Sequence, residues 1–206
     1  MRTRLVLLLG LAVAQAMALP ALAQGKLEST AAFTGPATPS VMGALEPGGY
    51  RIRLGDGTVA CEIWFRKDLP GLQPSVLVGV VSLPQKTNDF RGLPVKAGSY
   101  TLRYALMPSD GNHMGASPTS DFLLLTPLAE DKDAAALPDF TVLTKMSAKT
   151  VGGNHPAALN LAAVTEREDY PAVAKDESGH EVFHVRLKTA QGERPIGLVV
   201  KGQAEQ

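Results

Sequence analysis

Apolar and polar residues alternate with a period of two along most of this chain, and that alternation predicts strands. Tyr50, Ile52 and Leu54 alternate with Arg51 and Arg53; after Gly55-Asp56-Gly57, Val59, Cys61, Ile63 and Phe65 alternate with Ala60, Glu62, Trp64 and Arg66. Residues two apart share one face of a strand, so each alternation marks a strand with one apolar face. Asp-Gly supplies the positive φ of a tight hairpin turn. Pro74 and Pro84 bracket 76–83, a near-continuous apolar run suited to a central strand. Tyr100, Leu102, Tyr104 and Leu106 alternate again, 122–126 is a short apolar strand, and strands resume at 158–164, 181–189 and 195–201. One segment reads as a helix, 139–149: Pro138 suits a first turn, Phe140, Leu143 and Met146 recur at intervals of three, and Gly152-Gly153 ends it. The alanine-rich 129–136 reads as a helical turn.

About eight strands, one short helix and closely spaced turn signals predict an all-β fold, an antiparallel β-sandwich of jelly-roll or immunoglobulin-like type. Regular strand–helix alternation is absent, which argues against a parallel sheet. The domain is expected over 48–203, preceded by an extended arm over 24–47 with at most one or two short strands. Residues 1–23 read as a secretory signal peptide: basic Arg2 and Arg4, an apolar run over 5–18, then Ala21-Leu22-Ala23 before Gln24. The apolar run holds Gln15 and is shorter than the roughly 20 residues of a spanning helix. A mature chain without a membrane span, periplasmic or secreted in a bacterium, is therefore expected.

Charge and cysteine content narrow the partners. Cleavage after Ala23 would leave 18 Lys+Arg against 20 Asp+Glu, a net charge of −2. Nucleic-acid and polybasic membrane-surface binders need a clear positive excess, so neither is expected. Cys61 is the single cysteine, so no intrachain disulfide forms. It falls in the apolar register of its strand and is expected as a buried, inert thiol. A Gly-x-Ser-x-Gly elbow, a paired-cysteine zinc pattern and a glycine-rich phosphate loop are all missing from the sequence.

Two tripeptides match, Gly111-Asn112-His113 and Gly153-Asn154-His155, both in predicted loops at strand or helix ends. Loops of this kind commonly display ligand sites. Asp110, His113 and Met114 add a carboxylate, an imidazole and a thioether within five residues. Imidazole with thioether suits copper, and imidazole with carboxylate suits zinc or another divalent ion. His113, His155, Asp110 and Met114 are thus candidate ligands of a divalent metal or copper ion; the alternative is that both histidines hold turns by hydrogen bonding. His184 is expected on the polar face of its strand, and His180 in a turn. A second candidate is a sheet face carrying Arg51, Arg53, Trp64, Arg103 and Arg186. Arginine forks suit carboxylate or phosphate ligands, and an outward Trp stacks on sugars or arginines. The alternative there is a solvated face with Arg–Glu cross-strand pairs.

The stretch 93–104, containing Ala97-Gly98-Ser99-Tyr100-Thr101-Leu102-Arg103-Tyr104, followed by Asp110-Gly111-Asn112-His113-Met114-Gly115 and Asp121-Phe122-Leu123-Leu124-Leu125, resembles segments of an uncharacterised group of exported bacterial β-sandwich proteins. The resemblance implies a sandwich and draws attention to both His loops; it implies no activity. The expectation is an exported, non-catalytic β-sandwich binding protein taking a metal ion or small polar ligand at the two Asn-His loops. The alternatives are a metal-assisted hydrolase or carbohydrate-active enzyme, and a module binding an envelope component through the arginine-bearing face.

Overall fold

The protein is described from a computed structural model covering residues 25–107, 119–164 and 167–202. Its elements are β1 (Lys26–Thr30), α1 (Pro39–Ala44), β2 (Gly49–Arg53), β3 (Val59–Phe65), β4 (Leu77–Leu83), β5 (Thr87–Asn88), β6 (Pro94–Val95), β7 (Gly98–Leu106), β8 (Asp121–Pro127), α2 (Phe140–Val151), β9 (Ala157–Ala162), β10 (Ala172–Lys175), β11 (Glu181–Thr189) and β12 (Gly192–Lys201). The fold is all-β and antiparallel, as the alternation predicts. Ten strands form one sheet in the order β1-β2-β3-β4-β7-β8-β9-β12-β11-β10, and β5 and β6 form a separate small hairpin. The chain meanders as far as β9, continues in β10 at the far edge, and returns so that β12 lies beside β9. This last part is a Greek key.

The β9–β12 seam is the weakest joint, with only Ala162↔Gly197 and Leu161↔Leu198 in register. About this seam the three-strand layer β12-β11-β10 folds back over the larger layer. The main core fills the space between them: Ile63 and Phe65 of β3, Leu102 of β7 and Leu123 of β8 meet Phe183, Val185 and Leu198. Tyr50 and Phe183 rings lie 5.4 Å apart, and Phe65 and Phe183 6.4 Å. At one end the layers are also tied by the buried Glu181 carboxylate, which accepts from the Gly55 N–H at 2.8 Å.

The larger layer is covered on its outer face as well, and here the sequence expectation needs correction. Residues expected as an extended arm supply the edge strand β1 and the short helix α1. Thr38 caps α1 and Pro39 occupies its first turn, a position where the missing N–H costs nothing. Val41 and Leu45 then pack with Phe33, Leu128 and Ala134 over Trp64, Leu77 and Val80. Trp64, expected outward, is 4% exposed; its Nε1 donates to the Ala31 carbonyl at 2.7 Å and its ring lies 5.0 Å from Phe33.

Helix α2 covers the next part of that face. Asp139 caps it by accepting from the Val142 N–H at 2.9 Å, and Gly152 ends it at φ 69°, a left-handed position that glycine takes without a Cβ clash. Leu143 packs on Phe122, Leu124 and Ala158. Ser147 Oγ donates to the Leu125 carbonyl at 2.7 Å and accepts from Ala157 N–H at 3.1 Å, while Thr150 Oγ1 donates to Leu125 at 3.0 Å. These hydroxyls rivet the helix to β8 and β9.

The segment between β8 and α2 is held by a buried ion pair. Arg103 is 0% exposed and Asp131 3%. Arg103 Nε and Nη2 reach the two Asp131 oxygens at 2.6 and 2.7 Å. Nη1 donates to the carbonyls of Ser75 and Ala136, and Nη2 also to that of Asp133, each at 2.7 Å. All five guanidinium N–H groups are therefore used, and Thr101 Oγ1 adds a bond to Asp131 at 2.6 Å. The expectation of a ligand-facing Arg103 is corrected: with no donor left over and no solvent contact, it is structural.

Removing one partner strands the other as an uncompensated buried charge. Arg103→Met is expected to lower unfolding free energy by about 3–5 kcal/mol, whereas Arg103→Met with Asp131→Leu recovers much of that loss. Urea unfolding of the three variants checks this.

Candidate functional site

The loop after α2 runs Gly152-Gly153-Asn154-His155-Pro156 into β9. It leaves Asn154 and His155 exposed, while Ala157 and Ala158 dive into the core. Between this loop, α2 and the outer face of β8 and β9 lies a groove of about 280 Å³. Its floor is apolar, from Phe122, Ala158, Met107 and the partly exposed Phe140. Its polar groups are Thr144 on the helix, Asn154 and His155 on the loop, Asn160 on β9, and Arg91 from the β5–β6 turn.

Arg91 is fixed rather than free to swing. Its Nη2 reaches Asp89 Oδ2 at 2.7 Å and also donates to the Pro156 carbonyl next to His155. Asp89 is buried and accepts from the N–H groups of Arg91 and Leu93 at 3.0 and 2.9 Å, which shapes the turn. The β5–β6 hairpin is thereby clamped against the His155 loop. Among the described residues no carboxylate lines the groove, and the guanidinium of Arg91 is paired with Asp89. The groups presented to a ligand are imidazole, amide and hydroxyl around an aromatic floor.

Sequence reasoning singled out His155 and Asn154 but not Arg91, Thr144, Phe140 or Asn160. Asn160 carried a readable signal, as the one amide inside the apolar strand Ala157–Ala162. The others come from elements distant in sequence, and only the packing of α2 on β8 and β9 brings them together. Of the remaining candidate metal ligands, His113, Asp110 and Met114 lie outside the described residues. Among the described residues no three His, Cys, Asp or Glu side chains gather as a metal-binding group.

The arginines do not form one face. Arg51 stands opposite both Glu28 and Glu62 in register; its Nε lies 2.6 Å from Glu62 and its Nη1 3.6 Å from Glu28. Arg53 Nε pairs with Glu28 at 2.7 Å, and this hydrogen bond with Arg53 holds the Glu28 carboxyl below its usual range. Arg186 lies on the other layer, 4.7 Å above the Tyr170 ring and 3.5 Å from Glu193. Trp64 and Arg103 are internal, as described above. The two adjacent arginines on β2 thus sit in a solvated ladder of cross-strand pairs.

Other titratable groups are occupied too. Burial pushes the Cys61 thiol up to about 12, which keeps it protonated and unreactive near neutral pH. Tyr104 donates to Asp121, and burial together with that carboxylate raises its hydroxyl to about 12. His180 Nδ1 lies 3.0 Å from Asp176 Oδ2 in the turn before β11.

His184 corrects a further expectation: it is buried, 5% exposed, rather than on a polar face. It stands in register with Gly197 and Ala172, and Ala162 pairs with the same Gly197; these small residues make room for the ring. A Cβ at Gly197 would lie 3.4 Å from His184 Nδ1. Among the described residues that nitrogen has no hydrogen-bond partner. Comparison of the chain with protein-family models, curated proteins and solved structures finds no match.

Burial, and next the nearby Arg167 cation, lower the His184 pKa below 6.5; Asp169 and Asp176 oppose them. A histidine with a lowered folded pKa gives stability that is fully present above its unfolded value and is lost as pH falls through the folded value. Melting temperature is therefore expected to fall on acidification below about pH 6.5, before most carboxylates titrate. The fall should be smaller in His184→Leu. Equal slopes in the two proteins would remove His184 from the account.

Proposed function

We propose that this chain is an exported, non-catalytic binding protein that takes a small polar ligand with an aromatic or otherwise apolar body in the groove beside Asn154 and His155. The observation that carries the reading is the composition of that groove: an apolar floor with a few convergent hydrogen-bonding side chains, the usual make-up of a small-molecule site. The apolar body would lie on Phe122, Met107 and Phe140. His155, Asn154, Asn160 and Thr144 would engage its polar groups. Arg91 holds the His155 loop in position and is better read as a positioning residue than as an anion receptor.

A binding role is the reading adopted because the described lining residues offer hydrogen-bonding side chains over an apolar floor. His113 stands six positions along the chain from Met107, which lines the groove. A site shared by both Asn-His tripeptides would be within reach of the chain. A metal form of the site would draw on His113, Asp110 and Met114 together with His155.

The test is a ligand-detected NMR screen with small hydroxylated aromatics and glycosides, and parallel titration with zinc and copper ions. His155→Ala and Asn154→Ala should each weaken a groove ligand about tenfold, the worth of one good hydrogen bond, with melting temperature unchanged. His113→Ala and His155→Ala weakening the same ligand would support a shared site. Hits that persist in both His155→Ala and Asn154→Ala would contradict the groove as the binding place.

A further inference from the structure

The two outer strands of the sheet, β1 and β10, approach each other and then part. At one end they touch: a Cβ on Gly25, just before β1, would lie 2.5 Å from Val173 Cγ1 of β10. But β10 is short. It pairs with β11 only over Glu181–His184, whereas β12 follows the opposite side of β11 as far as Thr189. Beyond that edge Leu69 bridges to Thr189 and accepts from the Ala190 N–H at 2.9 Å. Four residues between these two supports, Val185 to Lys188, have a ladder on one side only.

Backbone direction along that edge follows from the hairpin. Thr189 and Gly192 close a two-residue turn and face one another. Main-chain groups alternate sides along a strand, so Val185 and Leu187 bond toward β12 while Arg186 and Lys188 present N–H and C=O outward. The parallel Leu69↔Thr189 bridge engages the Lys188 carbonyl; among the described residues no other backbone hydrogen bond outside the ladders reaches Arg186 or Lys188.

This bare edge borders a groove of about 340 Å³. It is also lined by Ser29 and Thr30 of β1 and by Gly48 and Gly49, two residues without side chains. Tyr50 and Phe65 line its base. Arg66, Arg186 and Lys188 stand around it with Glu46, and Glu193 lies 3.5 Å from Arg186 beside it, three cations against two acids. The length, about 13 Å for four residues at ~3.3 Å each, is that of a short strand.

We infer that this slot is a strand-addition site, taking an extended acidic segment of a partner protein. The segment pairs its backbone with Arg186 and the N–H of Lys188, turns an apolar side chain toward Tyr50 and Phe65, and offers carboxylates to the three cations. Backbone pairing supplies affinity and the alternate side chains supply selectivity, the mode known for peptides added to sheet edges. The excess of positive charge selects against a neutral or basic strand. It also makes pairing with the same edge of a second copy unfavourable, because like charges would then meet.

The probe is a short acetylated, amidated peptide alternating glutamate with valine and phenylalanine, titrated into the full-length purified protein under two-dimensional NMR. The expected result is binding that shifts the amides of Arg186, Lys188 and Ser29 and weakens with salt. Lysine in place of the glutamates should abolish it. Arg186→Glu and Lys188→Glu should each weaken it about tenfold. Methylating alternate backbone nitrogens of the peptide leaves the protein untouched and should abolish binding in one of the two registers. Absence of binding, indifference to methylation in both registers, shifts confined to the His155 groove, or a dimer through this edge that the peptide fails to displace would each overturn the inference.

Discussion

The Arg103–Asp131 pair is the constraint on which the outer half of this molecule depends. A large antiparallel layer offers two faces, and only one can be covered by the folded-back strands β10 to β12. The other face carries Trp64, Leu77, Val80, Phe122 and Leu124, too much apolar surface to leave in water. The chain covers it with α1, the 128–139 segment and α2. That middle segment has almost no regular structure, so its carbonyls need partners from outside it. Arg103 provides them for Asp133 and Ala136, and Asp131 neutralises the charge that doing so buries. Thr38, Arg66 and Ser75 bond the carbonyls of Lys132, Ala134 and Pro138. With 128–139 fixed, α2 begins where Asp139 can cap it, and Phe140 and Thr144 reach the groove by His155.

Much of the sheet was legible in the sequence. The alternations at 50–54, 59–66 and 100–106 and the apolar runs at 76–83 and 122–126 correspond to β2, β3, β7, β4 and β8, and Asp139 to Gly152 bounds the helix. Elements too short to show a period escaped: α1 spans six residues, β10 four, and β5 and β6 two each. In β1 a single leucine within Lys26–Thr30 meets the core, which leaves little alternation to read.

The candidate residues show the limit of periodicity more sharply. A period of two states which side chains share a face; it does not state whether that face meets water. Trp64 and Arg103 were assigned to the correct strand faces, but those faces lie beneath α1 and the 128–139 segment. His184 is likewise buried on the face opposite the main core, within electrostatic reach of Arg167 and Asp169. Arg51 and Arg53 remain partly exposed, with β1 placing Glu28 beside them and no covering layer at that edge among the described residues. Tertiary covering, decided by segments with no period of their own, is what the sequence pattern leaves out.

The groove and the strand slot lie on different parts of the molecule and depend on different features. One needs α2 held in place on the outer face; the other needs β10 to stop short of the length of β11. The claim joining fold to site is that the buried ion pair is the main tie among several that hold the covering segment and, with it, the start of α2. Hydrogen exchange on Asp131→Asn, which keeps the shape of the side chain and removes its charge, tests this most directly. The account predicts faster exchange of amides over 128–151, with protection of β3, β7 and β8 retained. A uniform rise across the whole sheet, or unchanged protection of 128–151, would contradict it.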